Sequence, residues 1–485
     1  MNKNELFTAP ESNFDMRDRP KGRRVAAAML LLLTAGGLLR FFSARDGLWL
    51  DEIWTIRMLF SYGQPVPSAT DVLMSLHQEN NHYLNSLWVL FLGPDAEGML
   101  YRLPSIVAGT ACIPLAWMIG KPRGIPTAAI SALIIAFSYP LIHYSSEARG
   151  YSLALFCALV CLACQERVIR GRRWPFIPII ACAAIAGVLS QPVFLIFYLA
   201  IMVWSAWRMW VLERNPRAFL RNWSSCHLAP LAFIGWLYFT DLRFLVNGGG
   251  PIIPIGKVIC QSLSLAIGGP ESPIAAIVAV MLILPCLITL WRIDNSWCVL
   301  AFLGIVLTPA LFILLTQRQE VYLRYFLVPI AIFDLTLAFG LARIWGTGNH
   351  IYRGICIAVL ASIILGNMVH VTRLLNCGRG SYTGLMRVLS QETGADLITI
   401  GSDNDFRNEM MLGYYIRFLP SGKKLQYTPR KAWPPGGPEW FLTQSMERGI
   451  SPPNEIGGPV RSYSLVKFQP FAGLSGWAWA LYRKE

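Results

Sequence analysis

Three stretches of this chain concentrate side chains that could do chemistry. Gly47-Leu-Trp-Leu-Asp51-Glu52-Ile-Trp54 holds two acids between tryptophans. Tryptophans favour membrane interfaces. A carboxylate at that depth lies in a lowered dielectric, where Asp51 could act as a base toward a hydroxyl. The competing reading is a solvated acidic pair after a helix. His77-Gln-Glu79-Asn80-Asn81-His82-Tyr83-Leu84-Asn85 is dense in hydrogen-bonding groups, as recognition of a polyol requires. It reads equally as a capped helix start. A third reading puts a metal on His77 and His82 with Glu79 and Asp51 as oxygen ligands, although two histidines five apart have no diagnostic zinc spacing. Tyr144-Ser-Ser-Glu147-Ala-Arg149-Gly-Tyr151 places a carboxylate two residues from a guanidinium. Arg102, Arg318 and Arg324 are further arginines in similar positions. Together they could bind a phosphate through their planar forks, or form a weak surface pair and snorkel to lipid.

The elements that carry these residues follow from composition. Of 485 residues, 54% are hydrophobic and 14% charged, against about 25% charged in a soluble chain. Mean hydropathy is +0.45. These values exclude a soluble enzyme and point to a multi-pass membrane protein. The net charge of +14 does not imply a nucleic-acid partner, because the basic residues fall between hydrophobic stretches. Seven of the cysteines, including the Cys161-Leu-Ala-Cys164 pair, sit inside apolar runs and read as packing residues.

Windows of about 19 residues give eleven expected spans: 25–43, 103–120, 125–143, 151–165, 174–190, 192–212, 227–240, 273–291, 297–316, 325–346 and 352–375. Short-loop Lys and Arg accumulate at Lys21–Arg24, Lys121–Arg123, Arg167–Arg173, Arg208–Arg221 and Arg343–Arg353. They place the N-terminus in the cytoplasm and the loops 44–102, 144–150, 241–272 and 317–324 outside. The expected organisation is a cytoplasmic segment 1–24, a transmembrane module 25–375 and an extracytoplasmic α/β domain 376–485. Leu84–Leu92 suits an interfacial helix. The loop around Gly248-Gly-Gly250 is of the kind that gates a site. Asp334, in the middle of a span, needs a partner in the bundle. In the tail, Leu397–Ile400, Glu439–Gln444, Tyr463–Phe468 and Trp477–Tyr482 read as strands and Phe406–Phe418 as a helix. No catalytic motif stands out in that tail.

One span, an outer loop opening with Asp51-Glu52, then His82-Tyr-Leu-Asn85, Tyr101-Arg-Leu-Pro-Ser105, Ser146-Glu-Ala-Arg-Gly-Tyr151 and Arg324-Tyr-Phe-Leu-Val-Pro329: this series resembles the GT-C glycosyltransferases. More narrowly, it is similar to the bacterial branch of the protein O-mannosyltransferase type, to which the aminoarabinose transferases acting on lipid A are also related. The resemblance is strongest over 44–155 and weak in the tail. It implies an α-helical polytopic fold of about eleven transmembrane helices with a small C-terminal α/β domain. It implies transfer of a sugar from a polyprenyl-phosphate donor to a lipid, glycan or protein hydroxyl, usually with inversion, on the outer face of the bacterial cytoplasmic membrane. Asp51 would be the base and Glu52 its support. His82, with Asn81 beside it, falls where many relatives have a His-Pro pair, with Tyr83 in place of the proline. Arg102, Glu147, Arg149, Tyr151, Arg324 and Tyr325 would line the donor cavity. Some such enzymes need a divalent metal and others none, and the sequence shows no clear ligand set. The alternatives are a lipid-linked sugar transporter, which would need polar residues along a path through nearly uncharged spans, and a membrane scaffold, which leaves Asp51 and Arg149 unexplained.

Overall fold

The computed structural model describes residues 19–61, 64–171, 175–246, 248–316, 321–447, 451–457 and 462–485. Arg318 and the start of the N-terminal segment lie outside them. Each of the eleven expected spans falls on a helix. Among the described residues, eight helices are long and apolar enough to cross a membrane, and nine with the bent pair Ile125–Phe137 and Tyr139–Ser145. The other two fall short for different reasons. Phe176–Ser190 has 15 residues, about 22 Å of helix against a hydrocarbon core of about 30 Å. Pro216–Thr240 is long enough but carries Arg217, Arg221, Asn222 and His227. The chain is a multi-pass membrane protein.

The bent pair turns by 56° where Ser138 takes an extended conformation and Pro140 enters the next helix. Proline lacks the N–H that would continue the ladder. Buried Arg40 satisfies the carbonyls freed at the break, donating to Ala136 O (3.2 Å) and Ile135 O (3.1 Å). Asp334 is buried in Leu327–Trp345, with Ser138 of the bent pair beside its carboxyl group.

The tail forms a six-stranded sheet of β1 (Leu397–Ser402), β2 (Lys424–Tyr427), β3 (Trp440–Ser445), β4 (Glu455–Gly457), β5 (Ser462–Gln469) and β6 (Ala478–Lys484), in the order β2-β1-β3-β6-β5-β4. The first three strands are parallel and the rest antiparallel. The short strands β2 and β4 escaped the sequence reading, since four and three residues carry too little alternation to stand out. Helix Asp405–Tyr415 starts at Asn404, whose side chain accepts from Arg407 N, and packs Met411 and Tyr415 under the sheet. One hydrophobic core holds Leu385, Ile400, Trp440 and Leu481 of this domain together with Leu48, Trp49, Leu50 and Ile53 of the first loop. Tyr415 also donates to Leu48 O (2.6 Å). The domain is therefore seated on helix Leu50–Leu59, which bears the acidic pair.

Candidate active site

Helix Leu50–Leu59 begins at the acidic pair, and successive helical residues point about 100° apart. Asp51 and Glu52 consequently face different surroundings. Glu52 turns into the core, fully buried against Arg102, with Oε1 to Nε at 2.8 Å and Oε2 to Nη2 at 2.5 Å. It also accepts from Trp49 N (3.0 Å) and Ala148 N (2.6 Å). Arg102 spends its remaining donors on the carbonyls of Ala44 (2.8 Å), Asp46 (2.5 Å) and Gly47 (3.0 Å). Glu52, expected to support Asp51, and Arg102, expected in the donor cavity, do not line the cavity that Asp51 faces. They form a saturated buried ion pair that ties the first loop to the 146–150 turn.

Asp51 faces a cavity of about 390 Å³. Its Oδ2 accepts from Arg324 Nη1 at 2.7 Å and lies 3.7 Å from Arg149 Nη2. Arg149 also donates to Asn80 Oδ1 and, at 3.3 Å, to Asp51 O. Asn80 returns a bond to Asp51 O (3.1 Å) and one to Thr55 (2.9 Å). Arg324 sits in a short 3-10 turn, Leu323–Phe326, with its guanidinium 4.5 Å from the ring centre of Tyr322. Arg149 Nε and Arg324 Nε are buried without an acceptor among the described residues. The three charges come from the first loop, the 146–150 turn and the segment before Leu327–Trp345. The fold thus gathers residues some 270 positions apart around one oxygen.

His82, Asn81 and Glu147, expected against substrate, are buried and do not line this cavity. Asn81 is buried and donates to Val72 O (2.7 Å). His82 Nδ1 accepts from Gly150 N (3.0 Å). Burial, with Arg149 and Arg324 nearby, holds its pKa well below the usual 6.5. A side chain on Gly150 would strike Ser190 O and His82, so only glycine lets the turn pass there. Glu147 accepts from Ser475 (2.5 Å) and pairs with His143 (3.2 Å) and Arg379 (3.4 Å). Burial would raise its pKa, but the His143 bond and the Arg379 charge outweigh it and hold it at about 2. Arg379 further donates to Ser43 O, His143 O and Ser146 Oγ. The Glu147–Arg379 cluster is thus a clasp between the helical bundle and the C-terminal domain.

Tyr151 and Tyr325 do line the cavity, with Trp49, Trp54, Glu79 and Gly248–Gly250. Tyr325 donates to Glu79 Oε1 (3.0 Å) and Gly248 N to Glu79 Oε2 (3.1 Å), so Glu79 clips the glycine loop to the site. His77 instead pairs with Asp241 (2.7 Å). Among the described residues no three His, Cys, Asp or Glu side chains converge as metal ligands, and His77 and His82 do not share a site with Asp51. Sequence reasoning missed Gln191 and Tyr322. It also missed the wall given by the C-terminal domain: Asn404, Phe406, Arg407 and Trp477. Of that wall, Phe406 is a large apolar residue left 60% exposed at a helix start.

A narrow apolar groove continues from the cavity between the helices, lined by Ala154, Phe194, Phe197, Phe312, Leu327 and Val328. Tyr151, Gln191, Arg324 and Tyr325 belong to both spaces. A cationic site thus adjoins a small apolar space of about 40 Å³ between the helices. At the opposite end of the bundle Arg123 lies between Glu166 (2.7 Å) and Asp294 (2.8 Å) and over Trp297.

No family model and no curated protein sequence matches the chain, so the likeness to known proteins lies in the fold. ArnT from Cupriavidus metallidurans in the apo state superposes with a TM-score of 0.53 at 14% identity, over 94% of this chain and 98% of that one. The same protein bound to undecaprenyl phosphate gives 0.50 at 12% identity, over 93% and 97%. The fold is GT-C.

Proposed function

We propose that this chain, built on the GT-C fold, is a membrane glycosyltransferase that moves a sugar from a polyprenyl-phosphate donor to an acceptor hydroxyl. One observation carries the reading: Asp51 lies against Arg324 and Arg149 where the polar cavity meets the apolar groove. The groove suits an isoprenoid tail, and the two guanidinium groups suit a phosphate at its head. A structure of this fold holding undecaprenyl phosphate supports a donor of that class.

In the proposed step Asp51 takes or orients the proton of the acceptor hydroxyl, whose oxygen bonds to the anomeric carbon. The bond from that carbon to the phosphate oxygen breaks, and its electron pair leaves with the lipid phosphate. Arg149 and Arg324 stabilise the charge that develops there, and cations fixed in a dry cleft do so without reorganising. With Glu52 turned away and Glu79 held by Tyr325 and Gly248, Asp51 is the carboxylate that meets the two arginines, which favours direct displacement with inversion. The basic cluster at the end remote from the site, Arg123, Arg167, Arg170 and Arg208, supports an N-terminus in the cytoplasm, with the site and the 376–485 domain on the outer face of a bacterial inner membrane.

The test supplies membranes containing the native chain with radiolabelled polyprenyl-phosphate sugars and separates donor from product. Label moving into an acceptor supports the reading. Label that stays on the donor but changes leaflet in vesicles replaces it with lipid-linked sugar transport.

A further inference from the structure

The wall of the cavity opposite Arg149 belongs to the C-terminal domain, and its chemistry differs from that of the phosphate end. A series of ring and guanidinium contacts lines this side of the cavity. Arg324 lies 6.0 Å from the Trp49 ring centre, Trp49 6.0 Å from Trp477, and Trp477 4.6 Å from the Arg407 guanidinium. Phe406 meets Trp54 edge-on at 5.6 Å. These rings give flat faces on which a sugar ring can lie, and Asn404 adds a polar group on the same wall.

Arg407 is the cation this wall leaves uncompensated. No carboxylate pairs with it among the described residues, and its one hydrogen bond goes to the neutral Gln444 Oε1 (3.1 Å). Asp403 is close enough to act on it electrostatically, but that carboxylate is held by Gln444 N (2.9 Å) and Asn408 (3.2 Å). Desolvation lowers the pKa of Arg407, as expected of a cation short of counter-charge. The indole N–H groups of Trp49 and Trp477, both cavity-lining residues, are buried without an acceptor among the described residues. Arg407 is therefore the group at this end that an anion would meet, beside rings that offer an apolar face. The ligand they call for combines a ring with an anionic group.

We propose that Trp54, Phe406, Arg407 and Trp477 form the acceptor subsite, and that the acceptor is a saccharide bearing a phosphate or carboxylate. The proposal rests on the transferase reading, in which Asp51 and the two arginines beside it serve the donor. The aromatic faces take the ring, Arg407 takes the anion, and the acceptor hydroxyl is presented toward Asp51 from the side opposite the lipid phosphate. Specificity for the acceptor then lies in the tail of the chain, and the transfer chemistry in the first loop.

Binding to the purified full chain, followed by saturation-transfer NMR, tests this with glucose 6-phosphate, glucose and inorganic phosphate. Glucose 6-phosphate is expected to bind about tenfold or more tightly than either part, the scale of one charge-assisted contact. Arg407→Gln should bring it down to the level of glucose. Phe406→Ala should weaken both sugars and leave phosphate unchanged, and Arg324→Gln should weaken phosphate alone. Glucose binding as well as its phosphate, or Arg407→Gln leaving the preference intact, overturns the proposal. So does inorganic phosphate binding as well as the sugar phosphate, which would place the anion at Arg149 and Arg324. The transfer assay separates the two levels. Transfer that ignores Arg407 removes the subsite and keeps the transferase. Selective sugar-phosphate binding without any transfer removes the transferase, and with it the acceptor role of the subsite.

Discussion

Asp51 and Glu52 are neighbours in sequence and opposites in environment. A helix turns consecutive residues to different faces, so one acid meets a cavity and two arginines while the other is locked into Arg102 with both oxygens used. Substitution should separate them. Asp51→Asn should keep its melting temperature and lose roughly 100-fold or more in turnover, the range of a positioned base. Glu52→Ala strands a buried guanidinium and should cost about 3–5 kcal/mol. Thermal unfolding of the purified variants, read beside transfer rates, checks both. An Asp51→Asn chain that unfolds early, or a Glu52→Ala chain as stable as the native one, would contradict the assignment. The sequence singled out this acidic pair but not how it divides between two environments, because adjacency in the chain carries no information about which face a helix will bury.

Among the elements, the 146–150 turn does the most positioning. It offers Ala148 N to Glu52, Gly150 N to His82 and the Glu147 carboxylate to Ser475 and Arg379, and so aims Arg149 at Asp51. Two of its contacts depend on pH. The pKa of His82 falls on folding, so the unfolded chain binds the extra proton first, and stability should decline as pH drops below about 6.5. The pKa of Glu147 falls from 4.5 to about 2, so its contribution is complete above about 4.5 and lost toward about 2. Melting temperatures across this range should fall in both windows, and Glu147→Gln should flatten the lower one. The motif itself was legible from its paired charges, but the reading placed Glu147 against substrate. Its true partners, Arg379 and Ser475, lie over 200 residues away, and no local pattern announces a contact of that separation.

For the molecule as a whole, hydropathy disclosed the bundle because a membrane imposes one length and one composition on every crossing element. It did not disclose the cavity wall made by Phe406, Arg407 and Trp477, since that wall exists only once the sheet domain is seated on helix Leu50–Leu59. The shared polar cavity and apolar groove lead to a whole-molecule expectation. Ile196→Trp, at the groove, should raise KM for a long polyprenyl-phosphate donor several-fold and leave a donor with a short isoprenoid tail little changed. Transfer assays with donors of two chain lengths measure the difference. Equal effects on both would place the tail elsewhere. The central claim is that Asp51 acts on the transfer step while Arg324 holds the lipid phosphate. Its most direct test is single-turnover transfer and donor binding measured together on the native chain, Asp51→Asn and Arg324→Gln. Asp51→Asn should bind donor within about twofold of the native chain and transfer at least roughly 100 times more slowly, while Arg324→Gln should weaken donor binding and transfer alike. Transfer at the native rate by Asp51→Asn would contradict the account.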